Sequence, residues 1–128
     1  QVRGESNDQL TLHRERKSFG TERTLLKDTT DHGILTGYLD SFSEELERML
    51  KKRSLAARTV TLKLRDSNFN TTSKSVTLRD YFNKKEEILQ LALQLFEEMM
   101  DEKPIRLIGL SVSHLEKTDK IYKQLKLF

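Results

Sequence analysis

An α+β fold is predicted, with element order β-α-β-β-α-β, forming a four-stranded antiparallel sheet with two helices on one face. Three observations predict it. Two stretches space their apolar residues by three and four, as amphipathic helices do, and the stretches around them alternate apolar and polar residues, as half-buried strands do. The single proline, Pro104, stands between the second helical stretch and the last alternating one. A chain of 128 residues suits one domain with a modest core.

Residues 1–13 are polar and without period, and read as a tether. From about 14 to 27, Phe19, Thr21, Thr24 and Leu25 follow a basic start and suggest a first strand. Asp28-Thr29-Thr30-Asp31 offers several N-cap residues. Ile34, Leu35, Tyr38, Leu39, Phe42, Leu46, Met49 and Leu50 then form the apolar stripe of a helix, and Lys51-Lys52-Arg53 suits its negative end. Between 57 and 66, Val60, Leu62 and Leu64 take one face of a strand, and Thr59, Thr61, Lys63 and Arg65 the other. A polar turn at 66–70 leads into a third strand over 72–79, with Val76 and Leu78 inward. A second helix is expected over 84–102, on Ile88, Leu89, Ala92, Leu95, Phe96, Met99 and Met100. In the last strand, 105–114, Ile108, Leu110 and Val112 share one face, and Leu107, Gly109, Ser111 and Ser113 the other.

Composition excludes several function classes. No apolar run approaches 18 residues, so no membrane partner is expected, and no basic-then-apolar leader opens the chain. The absence of Cys removes thiolate nucleophiles and thiolate metal sites, and fits a reducing cytoplasm. His13, His32 and His114 have neither ligand nor triad spacing, and Ser18-Phe19-Gly20-Thr21 lacks the pattern of a phosphate-binding loop. The acidic pairs Glu44-Glu45, Glu86-Glu87 and Glu97-Glu98 read as solvated helix faces.

Net charge is only +3, but its distribution is uneven. The strand segments carry Arg14, Arg16, Lys17, Arg23, Lys27, Arg58, Lys63, Arg65, Lys74, Arg79 and Arg106 against Glu15, Glu22 and Asp66. With both helices on one face, the open face is expected to be basic and hydroxyl-rich, which suits a phosphate backbone. An ordinary solvated strand face with edge lysines is the plainer alternative. The same element order occurs in RNA-recognition modules, but those present stacking aromatics on the open face. No Phe or Tyr alternates outward on the central strands here, so backbone contact without base readout fits better.

Several segments together carry a family resemblance. They are Arg14-Glu15-Arg16-Lys17-Ser18-Phe19-Gly20 with Glu22 and Thr24-Leu25, then Ala57-Arg58-Thr59-Val60-Thr61-Leu62-Lys63. Asn68-Phe69, Thr71, Lys74-Ser75 and Thr77-Leu78 follow, and then Ile105-Arg106-Leu107-Ile108-Gly109-Leu110-Ser111-Val112-Ser113. In this order they resemble the little-finger domain of Y-family translesion DNA polymerases, nearest to bacterial DNA polymerase IV. The C-terminal Gln124-Leu125-Lys126-Leu127-Phe128 resembles the pentapeptide by which bacterial replication and repair proteins hold the sliding clamp.

The resemblance implies a little-finger domain over 14–115, a tether from a thumb domain before it, and a tail over 116–128 carrying the clamp peptide. It implies template-primer duplex DNA as partner, gripped by its phosphates in the major groove. It further implies the sliding clamp and the parent's palm, fingers and thumb as partners, a monomer, and the bacterial cytoplasm. Lys17, Ser18, Gly20 and Thr24 would approach one DNA strand, and Ser73, Lys74, Ser75, Arg106 and Ser111 the other, with Arg16 and Lys63 also in the DNA-binding set. Gln124, Leu125, Leu127 and Phe128 would bind the clamp. Lys74 stands where relatives often have Arg, and Leu107 and Ser111 where some carry Arg. Glu22 falls among the DNA-facing positions, where nothing in the sequence accounts for a carboxylate. No cofactor is expected in this chain; the Mg2+ of the polymerase reaction belongs to the parent's palm, so the chain itself should be inert. Two rivals remain: a stand-alone protein-interaction module with a basic sheet face, and a small acylphosphatase-like enzyme, whose phosphate cradle has no counterpart here.

Overall fold

A computed structural model describes residues 18–121. Strand β1 (Ser18–Thr29) leads to helix α1 (His32–Lys52), then β2 (Leu55–Asp66) and β3 (Thr71–Phe82). Helix α2 (Lys85–Met99), β4 (Ile105–Ser113) and the short β5 (Glu116–Lys117) complete the described chain. The first six elements follow the expected β-α-β-β-α-β order. The main sheet runs β1-β4-β2-β3 with every neighbouring pair antiparallel. Helix α1 packs on β1, β4 and β2, and α2 packs on β2 and β3. The expected tether over 1–13, Arg16, Lys17 and the peptide Gln124, Leu125, Leu127 and Phe128 all lie outside the described residues.

The core forms where the two periods meet. Leu35, Leu39, Leu46 and Leu50 of α1 and Ile88 and Ala92 of α2 are fully buried against Val60 and Leu62 of β2 and Ile108 and Val112 of β4. Each Val, Leu or Ile side chain among them that is removed from water contributes about 1.5–3 kcal/mol before the cost of ordering it. Among the four N-cap candidates, Asp31 caps α1, its Oδ1 accepting from the Ile34 N–H at 3.2 Å. Helix α2 starts at Lys84 without a side-chain cap of its own. The Lys85 N–H donates instead to Glu47 Oε2 of α1 at 3.2 Å, and Lys51 Nζ reaches the same oxygen at 3.1 Å. One carboxylate thereby caps one helix from the other.

The β2–β3 turn is tied by Asp66, 9% exposed, whose Oδ1 accepts from the Asn68 and Asn70 N–H groups. These bonds, Asn70's foremost, hold its carboxyl below the ordinary range. Phe69 is thereby fixed at φ 64°, a left-handed conformation unusual for an aromatic residue, and the residue is 64% exposed. The short β5 was not announced by the sequence. It pairs Lys117 with Leu55 and Glu116 with Ala56, and so returns the chain after Leu115 to the start of β2. Among the described residues no helix is long and apolar enough to cross a membrane.

The shared cap makes a pH-dependent prediction. The Lys85 N–H, and then Lys51, lower the Glu47 pKa below its ordinary 4.5. Its contribution is therefore fully present above pH 4.5 and is lost as pH falls through the lowered folded value. Glu47→Ala should destabilise the domain by about 1 kcal/mol at pH 7. In urea unfolding series the gap from the parent protein should close as pH falls into the acid range.

Candidate nucleic-acid interface

The helices cover one face of the sheet, so strand alternation assigns the other face residue by residue. Cross-strand register lays it out in four rows running β1, β4, β2, β3. They are Ser18-Ser113-Thr59-Thr77, Gly20-Ser111-Thr61-Ser75, Glu22-Gly109-Lys63-Ser73 and Thr24-Leu107-Arg65-Thr71. Ten of these sixteen positions are Ser or Thr and none is aromatic, so the face offers hydroxyl contacts without a base-stacking platform.

The hydroxyls are linked across strands. Thr61 Oγ1 and Ser75 Oγ lie 2.7 Å apart, and Thr59 Oγ1 is 2.8 Å from Thr77 Oγ1 and 2.6 Å from His114 Nδ1. Arg65 Nε donates to Thr71 Oγ1 at 2.8 Å. Between the first two strands the face dips, because two of its positions are glycine. A depression of about 350 Å3 is lined by Gly20, Thr21, Glu22, Thr61, Lys63, Ser73, Gly109, Leu110 and Ser111. Lys63 Nζ reaches across Gly109 to Glu22 Oε1 at 2.7 Å. A Cβ on Gly109 would stand 3.0 Å from the Glu22 Cβ, so the glycine lets the ion pair close over β4.

Charge on this face is thinner than the strand totals suggest. Among the described residues with a cross-strand register, Lys63 and Arg65 are the cations on the open side. Arg23 lies opposite Ile108, on the helix side, with its guanidinium 5.8 Å from the Tyr38 ring centre. Lys74 lies opposite Leu62, also on the helix side, and pairs with Glu98 of α2 at 2.5 Å. Arg58 sits against the Tyr81 ring at 5.5 Å. Arg106 bonds Asp28 through Nε at 3.2 Å and Nη2 at 3.3 Å, and its guanidinium lies 4.5 Å from the Phe69 ring centre. Alternation explains the thinning: half the cations of a one-sided sheet fall on its covered face.

Of the residues expected to bind DNA, Ser18, Gly20, Thr24, Lys63, Ser73, Ser75 and Ser111 come together on the open face. Lys74 and Arg106 stand apart from them, in the ion pairs just described. Sequence reasoning passed over Thr59, Thr61, Arg65, Thr77 and Ser113 as contacts, although alternation with Val60, Leu62 and Leu64 already placed the first three outward. Among the described residues no three His, Cys, Asp or Glu side chains form a group that could hold a metal.

The impB/mucB/samB family C-terminal domain matches residues 16–127. DNA polymerase IV of Listeria monocytogenes serotype 4a (strain HCC23) is 42% identical over 116 residues, 90% of this chain and 33% of that protein. DNA polymerase IV of Staphylococcus aureus (strain Newman) is 34% identical over 128 residues, 99% of this chain and 35% of that protein. The chain thus spans about a third of the length of these relatives. A solved complex of beta-clamp processivity factor and the little finger domain of PolIV is similar at a TM-score of 0.63 and 24% identity, covering 75% of this chain and 86% of that one. The insertion ternary complex of Dbh DNA polymerase is similar at 0.61 and 17%, covering 78% of this chain and 29% of that one. At these identities the structural likeness carries the fold.

The glycine at the centre of the face yields a prediction. Both neighbours of β4 are hydrogen-bonded to it, so neither can retreat from an added methyl group. Gly109→Ala should destabilise the domain by about 1–3 kcal/mol. A chemical-denaturation midpoint unchanged from the parent protein would contradict that account.

Proposed function

We propose, from the premise that the chain belongs to the impB/mucB/samB C-terminal domain family, the little finger of Y-family polymerases, that its open sheet face grips DNA. The ligand is the sugar-phosphate backbone of template-primer duplex, met in the major groove. The observation that carries this reading is the set of four cross-strand rows, rich in Ser and Thr and free of aromatic side chains. Hydroxyls and backbone groups hydrogen-bond phosphate oxygens, while Lys63 and Arg65 supply the charge that draws the backbone in. Without groups aimed at base edges, binding is expected to ignore sequence.

The parent protein, on this reading, is a lesion-bypass DNA polymerase IV of the bacterial cytoplasm. Its palm supplies the metal-binding carboxylates and Mg2+, and its fingers and thumb complete the grip. This domain lengthens the contact with duplex and takes no part in the chemistry. Ser18, Gly20, Thr24 and the flanking Arg16 and Lys17 serve one DNA strand. Ser73, Lys74, Ser75, Ser111 and Arg106 serve the other. Lys74, on the helix side of the edge strand β3, must leave Glu98 and reach around that edge to meet a phosphate, and Arg106 must share its guanidinium with Asp28. Gln124, Leu125, Leu127 and Phe128 bind the sliding clamp as a linear peptide, which makes clamp recruitment independent of the sheet.

The charge contacts are tested by fluorescence anisotropy of labelled primer-template DNA across a salt series. Lys63→Ala should weaken binding evenly across sequences and reduce the salt slope by about one. Lys74→Ala should act in the same direction but less, because its ammonium is engaged with Glu98 in the free domain. An effect confined to one DNA sequence would argue for base readout. Folded protein that binds no DNA even at low salt would leave the rival, a protein-interaction module.

The two-site organisation is tested by truncation. Removing Leu127 and Phe128 should abolish binding to immobilised sliding clamp and leave DNA affinity within about twofold, less than the ~0.6 kcal/mol that one RT represents. Parallel loss of both activities would overturn the separation of sites.

A further inference from the structure

Glu22 is the one acidic side chain in the four rows of the open face, and it lines the depression there. Its partner, Lys63, is the one lysine in the same rows. The pair spans β4 above Gly109, so carboxylate and ammonium lie over the floor of the depression rather than beside it. Around them stand the hydroxyls of Thr61, Ser73 and Ser111. A carboxylate held here presents to Lys63 what a phosphodiester would present: anionic oxygens that accept hydrogen bonds.

We propose that Glu22 is a built-in competitor for the DNA phosphate. In the free domain its carboxylate occupies Lys63; on DNA a backbone phosphate takes Lys63, and the carboxylate swings out to solvent. The inference rests on the DNA-gripping reading above and adds a determinant of its strength. The exchange is feasible because both side chains are substantially exposed, Lys63 by 39% and Glu22 by 51%. Ion pairs of that exposure are weak and readily traded. A duplex phosphate carries the same sign as Glu22 and brings neighbouring phosphates with it, so the carboxylate is repelled as the ammonium is captured. The free face is therefore electrically quiet at its centre, which limits its hold on duplex in general. The pair also accounts for a carboxylate among positions that otherwise suit phosphate.

The test compares two neutralised variants of the full chain by anisotropy with labelled duplex DNA. Glu22→Gln removes the competitor, whereas Glu97→Gln makes the same change in net charge on the exposed surface of α2, across the sheet from the rows. Glu22→Gln should tighten binding about three- to tenfold at low salt, steepen the salt slope, and lose its advantage as salt rises. Glu97→Gln should remain within about twofold of the parent. Equal effects from the two variants would reduce Glu22 to general charge and overturn the proposal. Weaker binding by Glu22→Gln would overturn it in the other direction, making Glu22 a support that holds Lys63 in place. If all three proteins are folded by circular dichroism and none binds duplex, the DNA reading itself fails. If all three bind alike, the DNA reading stands and only the competitor fails.

Discussion

A sheet with helices on one face has a strict constraint: each strand must divide its residues between core and solvent at every step. That division fixes the rest of this molecule. Val60, Leu62 and Leu64 can be buried only if Thr59, Thr61, Lys63 and Arg65 point away from the helices. A one-residue slip would exchange the two sets and place two cations in the core, so the buried half of β2 holds the register of the exposed half. The register of the proposed interface is consequently held by the core beneath it. Half of its side chains stand on β4 and β2, which are paired on both sides, and half on the edge strands β1 and β3.

The exposed half has its own internal order. Two glycines, Gly20 and Gly109, lower the floor on β1 and β4, while longer side chains on β2 and β3 rise beside it. Leu107 is 6% exposed on this same face, shielded by its row neighbours Thr24 and Arg65. Where the floor is low, an ion pair crosses it; where Leu107 fills it, Arg65 turns away across the strands to Thr71 of β3. A backbone-binding surface needs such relief, because phosphates project and a flat sheet would meet them at too few points.

Much of this was legible in the sequence. The element order and the inward faces of β2 and β4 followed from period and residue type, which also narrowed the cap of α1 to the four residues Asp28 to Asp31. Even the position of Lys74 was available: if Val76 and Leu78 point inward, Lys74 two residues earlier does too. Pooling charges by segment hid that, since a total ignores alternation. Other features depend on partners distant in the chain and had no local signal. The Glu22–Lys63 pair needs β4 to lie between β1 and β2, which only the assembled sheet order supplies. The irregularity between Thr24 and Thr29 breaks the alternation of β1 and brings Asp28 to Arg106. The cap on α2 comes from α1, so no inspection of residues around Lys84 would have found it.

The thinness of charge has a physical consequence for any domain that must hold DNA while the DNA moves. Binding through many cations releases many counterions and becomes tight and slow to leave. A face of hydroxyls with few free cations makes contacts that are individually weak and easily remade at the next phosphate. Weak grip alone would let such a domain escape, but a second weak attachment changes the arithmetic. When a sheet on DNA and a peptide on a clamp belong to one chain, release of either leaves the other holding, and rebinding becomes intramolecular. The effective concentration for that step is in the millimolar range for short flexible connections. Neither contact then needs to be strong, and a carboxylate that weakens the sheet's hold is tolerable. On the proposed reading, Glu22 sets a balance between holding duplex and letting it slide, with the clamp supplying the persistence that the sheet lacks.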